Sequence, residues 1–323
     1  MYKLDLKDKK ILYELDENAR QSYSQVARKV GLSKEVVRYR IENLIKNKVI
    51  SGFLLIVDSK RLNLFYSKAF VTLQDISEKE KVELINYLIN NKKVVAVFET
   101  EGKYDLFFSI IAKDMEELNK TLLEIENRFG KYFHEKVVNT ILQGYYFLRN
   151  YLIEKKSVNR RLIGFGIMKE VIELDEIDKK ILLLLSYNPR ESLVDISKKV
   201  KLSADGVSLR IKKLEKRGLI QNYTLILNNN EIGQFHYKIL LDLKNFTEQS
   251  EKSLLQFCEQ HTHVYYACKT LTPWKFEIDI EVSSNEEYRR ILQEIKNKFS
   301  AIIKETISLQ AFKLHKYNLL PSL

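Results

Sequence analysis

The chain has 323 residues, enough for two domains with sizeable cores; 45% are hydrophobic and 30% charged. Three Pro and ten Gly leave little room for disordered linkers, two Cys exclude a disulfide framework, and no apolar run approaches the roughly 18 residues of a membrane span. Fifty-four Lys and Arg against 43 Asp and Glu give a formal charge of +11, which suits a polyanionic partner if it is clustered.

The first segment, MYKLDLKDKK, lacks the apolar centre of a signal peptide, so the chain is expected in the cytoplasm. Ile11, Leu12 and Leu15 give a first helix one apolar face. Ser22 with Gln25 reads as the cap of a second helix, and Gly31-Leu32-Ser33 as a tight turn whose serine caps a third. On that third helix Val37, Ile41 and Leu44 recur at i, i+4, i+7 and face inward, leaving the opposite face free. ISGFLLIV then reads as a strand leaving the helical head. Beyond it the pattern is strand (KAFVTLQ), helix (EKEKVELINYLINN), two strands (KVVAVFE, YDLFFSIIA), helix (DMEELNKTLLEIENRFG) and strand (EKVVNTILQGYYFL). That β-α-β-β-α-β order is the order of a ferredoxin-like sandwich.

The whole pattern then repeats 170 positions later. Residues 4–50 and 174–220 align without a gap and share 21 identical positions of 47, among them Asp5, Asp8, Arg20, Ser22, Ser33, Val37, Arg40 and Ile41. A period this long is a duplicated two-domain unit rather than a solenoid repeat. The fold class expected is therefore α+β, two tandem units of a helix-turn-helix followed by a ferredoxin-like βαββαβ sandwich. The boundaries are 1–51 and 52–152 for the first unit, 153–173 for a linker with a strand near Leu162–Ile172, and 174–221 and 222–323 for the second.

The third helix of such a head has the size and shape of a major-groove probe. With its apolar residues inward, Lys34, Glu35, Arg38 and Lys46 project outward and Ser33 sits at the tip; Ser22 caps the helix before it. From Arg28 to Lys48 seven basic residues face two acidic ones, and from Lys198 to Arg217 eight face two, so the surplus lies where DNA would lie. Solvated helix faces are the plain alternative, and two matched copies weaken it. The second head carries Ser192, Ser203 and Lys212, but Ala204, Asp205 and Ser208 stand where the first has Lys34, Glu35 and Arg38. It should read a different half-site or hold mostly backbone. Arg40 and Arg210 lie beside the buried stripe, where a phosphate clamp and an ion pair with Asp8 or Asp178 are equally open readings.

Gly102-Lys103-Tyr104-Asp105 sits between two strands, where glycine allows close approach and the acid could accept from an amine; a hairpin turn explains the same residues. The second unit has Thr272-Pro273-Trp274-Lys275 there, so its loop cannot bind the same ligand in the same way, and Trp274 reads as a packing anchor. Cys258, His261, His263 and Cys268 only loosely resemble metal ligands, and no metal is expected. With no P-loop, dinucleotide or nucleophile-elbow motif, neither a cofactor nor catalysis is expected.

The run D-x2-D-x2-I-L, an Arg after the first helix, L-S-x3-V-x2-R-I-x2-L and a closing Ile together resemble the leucine-responsive/AsnC family of transcription regulators, over nearly the whole chain and twice. The tandem arrangement resembles the archaeal members. The resemblance implies a winged helix-turn-helix that binds double-stranded DNA as a dimer, and paired sheet domains that take small effectors, often amino acids. Gly102, Tyr104 and Asp105 match its effector motif. It also implies that one chain holds both halves of a dimer, as an intramolecular pseudo-dimer or a homo-oligomer joined through the sheets. Two further readings share the architecture: a sirohaem-decarboxylase-like tetrapyrrole enzyme, toward which His261, His263 and Tyr265 point faintly, and a DNA-coating protein without sequence preference.

Overall fold

The computed structural model describes residues 1–154, 163–166 and 170–322. The first head is α1 (Leu6–Glu17), α2 (Tyr23–Val30) and α3 (Lys34–Lys46), followed by strand β1 (Ile50–Val57). The first sheet unit comprises β2 (Phe65–Leu73), α4 (Glu78–Asn90), β3 (Val94–Gly102), β4 (Leu106–Ala112), α5 (Met115–Phe129) and β5 (Phe133–Tyr146). In the linker, β6 (Ile163–Phe165) is a short strand on β5; Leu162 and residues 167–169 of the strand expected there lie outside the described residues. The second head is α6 (Glu176–Tyr187), α7 (Leu193–Val200) and α8 (Ala204–Lys216), followed by β7 (Ile220–Leu227). Then come β8 (Phe235–Leu243), α9 (Glu248–Gln260), β9 (Val264–Thr270), β10 (Phe276–Val282), α10 (Asn285–Lys298) and β11 (Ile303–Tyr317).

The helix boundaries follow from side chains that satisfy the orphan N–H groups of a first turn. Asp5, Ser22 and Ser33 cap the three helices of the first head, and Asp175, Ser192 and Ser203 those of the second. α2 ends on Gly31 at φ 65°, a left-handed residue that costs glycine nothing. Its counterpart Lys201 adopts φ 56°, at a cost of about 1 kcal/mol.

Each sheet unit has its expected strands, and their arrangement closes on itself. β5-β2-β4-β3 form one antiparallel sheet and β9-β10-β8-β11 the other; β3 then pairs with β11, and β5 with β9. The result is one eight-stranded barrel within a single chain. Helices cover its outside. Ile278, Ile280 and Val282 of β10 pack under Leu254, Ile291 and Ile295, and Val71, Phe108 and Ile110 under Leu84, Leu122 and Ile125. By the period of two, the alternate residues point into the lumen.

β1 and β7 do not join the barrel. They pair with each other as an antiparallel ribbon, Phe53 opposite Leu225. Each head then buries its apolar face on the other unit's strand: Leu225 and Leu227 belong to the core of the first head, and Leu54 to Val57 to that of the second. Two arginines at matching positions complete the exchange. Arg20 Nη1 donates to the carbonyl of Pro189 at 2.6 Å, and Arg190 Nη1 donates to the carbonyl of Ala19. Arg190 also lies over the rings of Tyr23 and Phe53 at 5.4 and 5.3 Å. The two heads are thus held at a set spacing. Among the described residues no helix is long and apolar enough to cross a membrane.

Candidate nucleic-acid interface

On α3, Val37, Ile41 and Leu44 are buried as their spacing requires, so the other face is open to solvent. Ser33 Oγ accepts the Val36 N–H at 3.2 Å, which leaves its hydroxyl at the helix tip, and Lys34, Glu35, Arg38 and Lys46 are all exposed. Arg38 Nε donates to Glu42 at 2.8 Å in a solvated i, i+4 pair that DNA could open without desolvation loss. On α8, Asp205 and Lys212 are exposed and Ala204 and Ser208 half-buried. Ser203 and Ser192 cap α8 and α7, as Ser22 caps α2.

Two exposed residues at the centre of this face were not anticipated. Tyr39 is 69% exposed, and its counterpart Leu209 is 70% exposed. Large side chains left in water at matched positions on both probe helices suit apolar contact with base edges, such as the thymine methyl. The signal was available in the sequence: position 39 lies two residues from Val37, on the opposite side of the helix.

Of the two readings left open for Arg40 and Arg210, the ion pair is present in both heads. Arg40 Nη1 binds Asp5 at 2.7 Å and Asp8 at 2.8 Å, and Arg210 Nη1 binds Asp175 and Asp178 at 2.6 and 2.7 Å. Each thus ties the third helix of its head to the capping carboxylates of the first. The pairing holds the Asp5 carboxyl below its ordinary value: burial opposes the shift, but the Asp8 backbone N–H and the Arg40 guanidinium outweigh it. The ion pairs fix the third helix of each head against the first.

Gly102, Tyr104 and Asp105 have structural tasks, as the hairpin reading implies. Gly102 has φ 130°, and a Cβ there would lie 2.7 Å from the carbonyl of Ser308, so glycine is needed for β3 to pair with β11. Tyr104 is only 1% exposed and packs on Phe70 and Trp274 at 5.5 and 6.1 Å between ring centroids. Asp105 accepts the Leu73 N–H at 2.7 Å. Tyr104 and Trp274 stand at equivalent positions of the two units, and together they plug one end of the barrel.

The lumen holds charges that sequence reading missed. Glu277, Asp279 and Glu281 alternate along β10, whereas β4 has Phe107, Ser109 and Ile111 at the matching positions. Lys238 of β8 binds Asp279 at 2.6 Å and Glu277 at 3.3 Å, and Lys68 of β2 also binds Glu277. Burial alone would raise both carboxyls, but the two lysines hold them below their ordinary values. Cys268 lies beside Lys68, its thiol pushed up to about 12 by burial and therefore uncharged. At the other end of the lumen, Arg149 Nη1 binds Asp16 of α1 at 2.6 Å and Arg149 Nε binds Glu281 at 2.8 Å, joining the first head to the barrel.

Of the residues that loosely resembled metal ligands, Cys258 lies in the core outside the barrel and Cys268 in its lumen, with the sheet between them. Burial lowers His261 to about 4. Among the described residues no three such side chains are grouped to hold an ion.

A family model of the AsnC-type helix-turn-helix domain matches residues 4–45, and one described as winged helix-turn-helix DNA-binding matches residues 174–221. The HTH-type transcriptional regulator Ptr1 of Methanocaldococcus jannaschii is 36% identical over 121 residues, which is 38% of this chain and 80% of that protein. The regulatory protein AsnC of Haemophilus influenzae is 28% identical over 38% of this chain and 81% of its own length. Among solved structures, the siroheme decarboxylase NirDL superposes with a TM-score of 0.60 over 98% of this chain and 94% of its own, at 14% identity, a likeness of fold. Both heads thus match helix-turn-helix models, one chain supplies both halves of the barrel, and Ptr1 is matched over four-fifths of its length: the chain belongs to the leucine-responsive/AsnC family of transcription regulators.

Proposed function

We propose that this protein is a sequence-specific DNA-binding transcription regulator whose single chain does the work of a dimer, with two unequal heads on one frame. The observation that carries the reading is the pair of exposed, basic third helices, held at a set spacing by the β1–β7 ribbon and the Arg20 and Arg190 clasp. The first head offers Lys34 and Arg38 to base edges and phosphates. The second, with Ala204 and Ser208 in their place, offers Lys212 and Lys213 to the backbone.

A tetrapyrrole enzyme is the second reading, and the whole-chain likeness to NirDL is what recommends it. Against it, both probe faces are intact, and the Arg149 guanidinium at the end of the lumen is already paired with Asp16 and Glu281. We therefore assign no catalytic residue.

Salt dependence of binding tests the proposal. Fluorescence anisotropy on labelled duplex should give a linear fall of log affinity against log salt, and Lys34→Ala should make the slope shallower by about 1. Affinity unchanged between 50 and 200 mM salt would contradict phosphate contact altogether.

A further inference from the structure

A cavity of about 410 Å³ lies between the β1–β7 ribbon and the end of the barrel opposite Tyr104 and Trp274. Its volume is in the range that takes a small organic molecule. Leu54 of the ribbon, Leu314 of β11 and the rings of Phe98, Tyr146 and Tyr317 give it apolar walls.

Charge distinguishes this end of the lumen from the other. Lys68 and Lys238 match Glu277 and Asp279 two for two. Here Arg149 alone serves two buried carboxylates, its Nη1 2.6 Å from Asp16 and its Nε 2.8 Å from Glu281. The other side-chain partners of those carboxylates among the described residues are neutral. Thr224 Oγ1 donates to Asp16 at 2.8 Å, and Tyr151 Oη and Asn229 Nδ2 donate to Glu281 at 2.7 and 3.0 Å. Burial alone would raise the Glu281 carboxyl, but Arg149 and then the two neutral donors hold it below its ordinary value. One negative charge is therefore left over in the buried wall, where its pull on a cation is stronger than in open water. The side chain of Lys313, at the rim, is 60% exposed and lies 3.6 Å from Glu99, so its charge is turned to Glu99 and water.

An open acceptor stands beside that charge. His236 of β8 lies across from Glu281 in the sheet. Its Nε2 is 2.6 Å from Asp279, which already has Lys238 as counter-charge, so a neutral ring suffices there with its proton on Nε2. Nδ1 then presents a lone pair. It makes no hydrogen bond among the described residues, yet it is not one of the fully covered unpartnered atoms, and His236 lines the cavity. Neutral groups share the wall: Tyr265, Asn222, Asn228, and the Tyr146 and Tyr317 hydroxyls, which lie 2.7 Å apart and leave one proton free. Hydroxyls and amides meet donors and acceptors alike, so the carboxylates and His236 decide the sign of the ligand's charge.

We propose that this cavity binds an organic monocation, an ammonium-bearing molecule with an aromatic body, which donates an N–H to His236 Nδ1 and sets its charge against the Asp16, Arg149 and Glu281 cluster. The rings of Phe98, Tyr146 and Tyr317 suit both the aromatic body and the charge. A carboxylate on the ligand would meet the surplus negative charge, so neither an acid nor a free amino acid fits as the amine does. The site stands whether or not the heads bind DNA.

The test is an indole series on the full chain, read by ligand-observed NMR: the cation tryptamine, neutral tryptophol, zwitterionic tryptophan and the anion indole-3-propionate. Tryptamine should bind at least tenfold more tightly than tryptophol, and the two carboxylates more weakly still. The chain as a whole carries +11 and repels amines, so such a preference reports a local site. Glu281→Gln balances Asp16 against Arg149 and should weaken tryptamine about tenfold while leaving tryptophol nearly unchanged. Asp16→Asn serves the same end, and thermal melts show which of the two folds. Lys313→Glu alters only an exposed side chain, keeps the fold and should tighten tryptamine about threefold. No binding of tryptamine, equal affinity for tryptophol, or tighter binding of either carboxylate would overturn the proposal. So would a tryptamine affinity that neither Lys313→Glu nor a folded Glu281→Gln or Asp16→Asn changes.

Discussion

Glu277→Gln is expected to destabilise the protein by about 3–5 kcal/mol, because it removes the carboxylate facing two buried ammonium groups and leaves Lys68 with no counter-charge. At this chain length the melting temperature should fall by roughly 10 °C. Lys68→Met combined with Glu277→Gln should recover most of the loss. The remaining charges, Lys238 and Asp279, are paired with each other at 2.6 Å, and the amide oxygen of the new glutamine can still accept from Trp274 Nε1. Strong non-additivity in that double-mutant cycle is the signature of a buried pair.

The acid limb of stability should change too. Glu277 and Asp279 are held below their ordinary values in the folded state, so the unfolded chain takes up protons first as the pH falls. Their contribution is complete above about pH 5 and declines as the pH drops through 4 toward the depressed folded values. Glu277→Gln removes one of the two steps, so its acid loss should be shallower. A wild-type and variant that lose stability in parallel below pH 4 would show that Glu277 is not paired in the fold.

The second large effect is an asymmetry between the heads. Lys34→Ala with Arg38→Ala should cost the first head about 2–4 kcal/mol of operator affinity and relax sequence preference at its half-site, as expected if Arg38 reaches a base edge. Lys212→Ala with Lys213→Ala should weaken binding to all sequences alike and flatten the salt slope by about 2, as for phosphate contacts. Equal losses of specificity from both pairs would mean that the second head reads bases as the first does. Neither pair should alter folding, since all four side chains lie in solvent.

The elements and the helix caps were legible because their causes are local. A serine before Val36 or Gly206 must satisfy an open N–H wherever the helix docks, and Val37, Ile41 and Leu44 declare their face by spacing alone. What was not legible depends on contacts more than a hundred residues apart. FEIDIEV reads as a strand with one face in water, and only closure of β3 on β11 and β5 on β9 turns that face into a lumen. The comparison that would have exposed it was available, since the matching strand of the first unit reads LFFSIIA, with no acid. Arg40 was left open between phosphate and ion pair because spacing brings it equally near both; the fold decides for Asp5 and Asp8. Gly102 to Asp105 stayed open between a turn and a ligand site for a related reason. A motif that serves an exposed loop in one setting here meets the other unit's strand and Trp274.

Selection of bound fragments from the source genome by the full chain, with excess competitor DNA and sequencing of what is retained, tests the central claim most directly. Two clasped and unequal heads predict enrichment of a bipartite site whose halves differ in sequence and lie a fixed whole number of helical turns apart, each about 10 base pairs. Retained fragments with no shared motif, or with a single half-site at no fixed distance from a second, would contradict it.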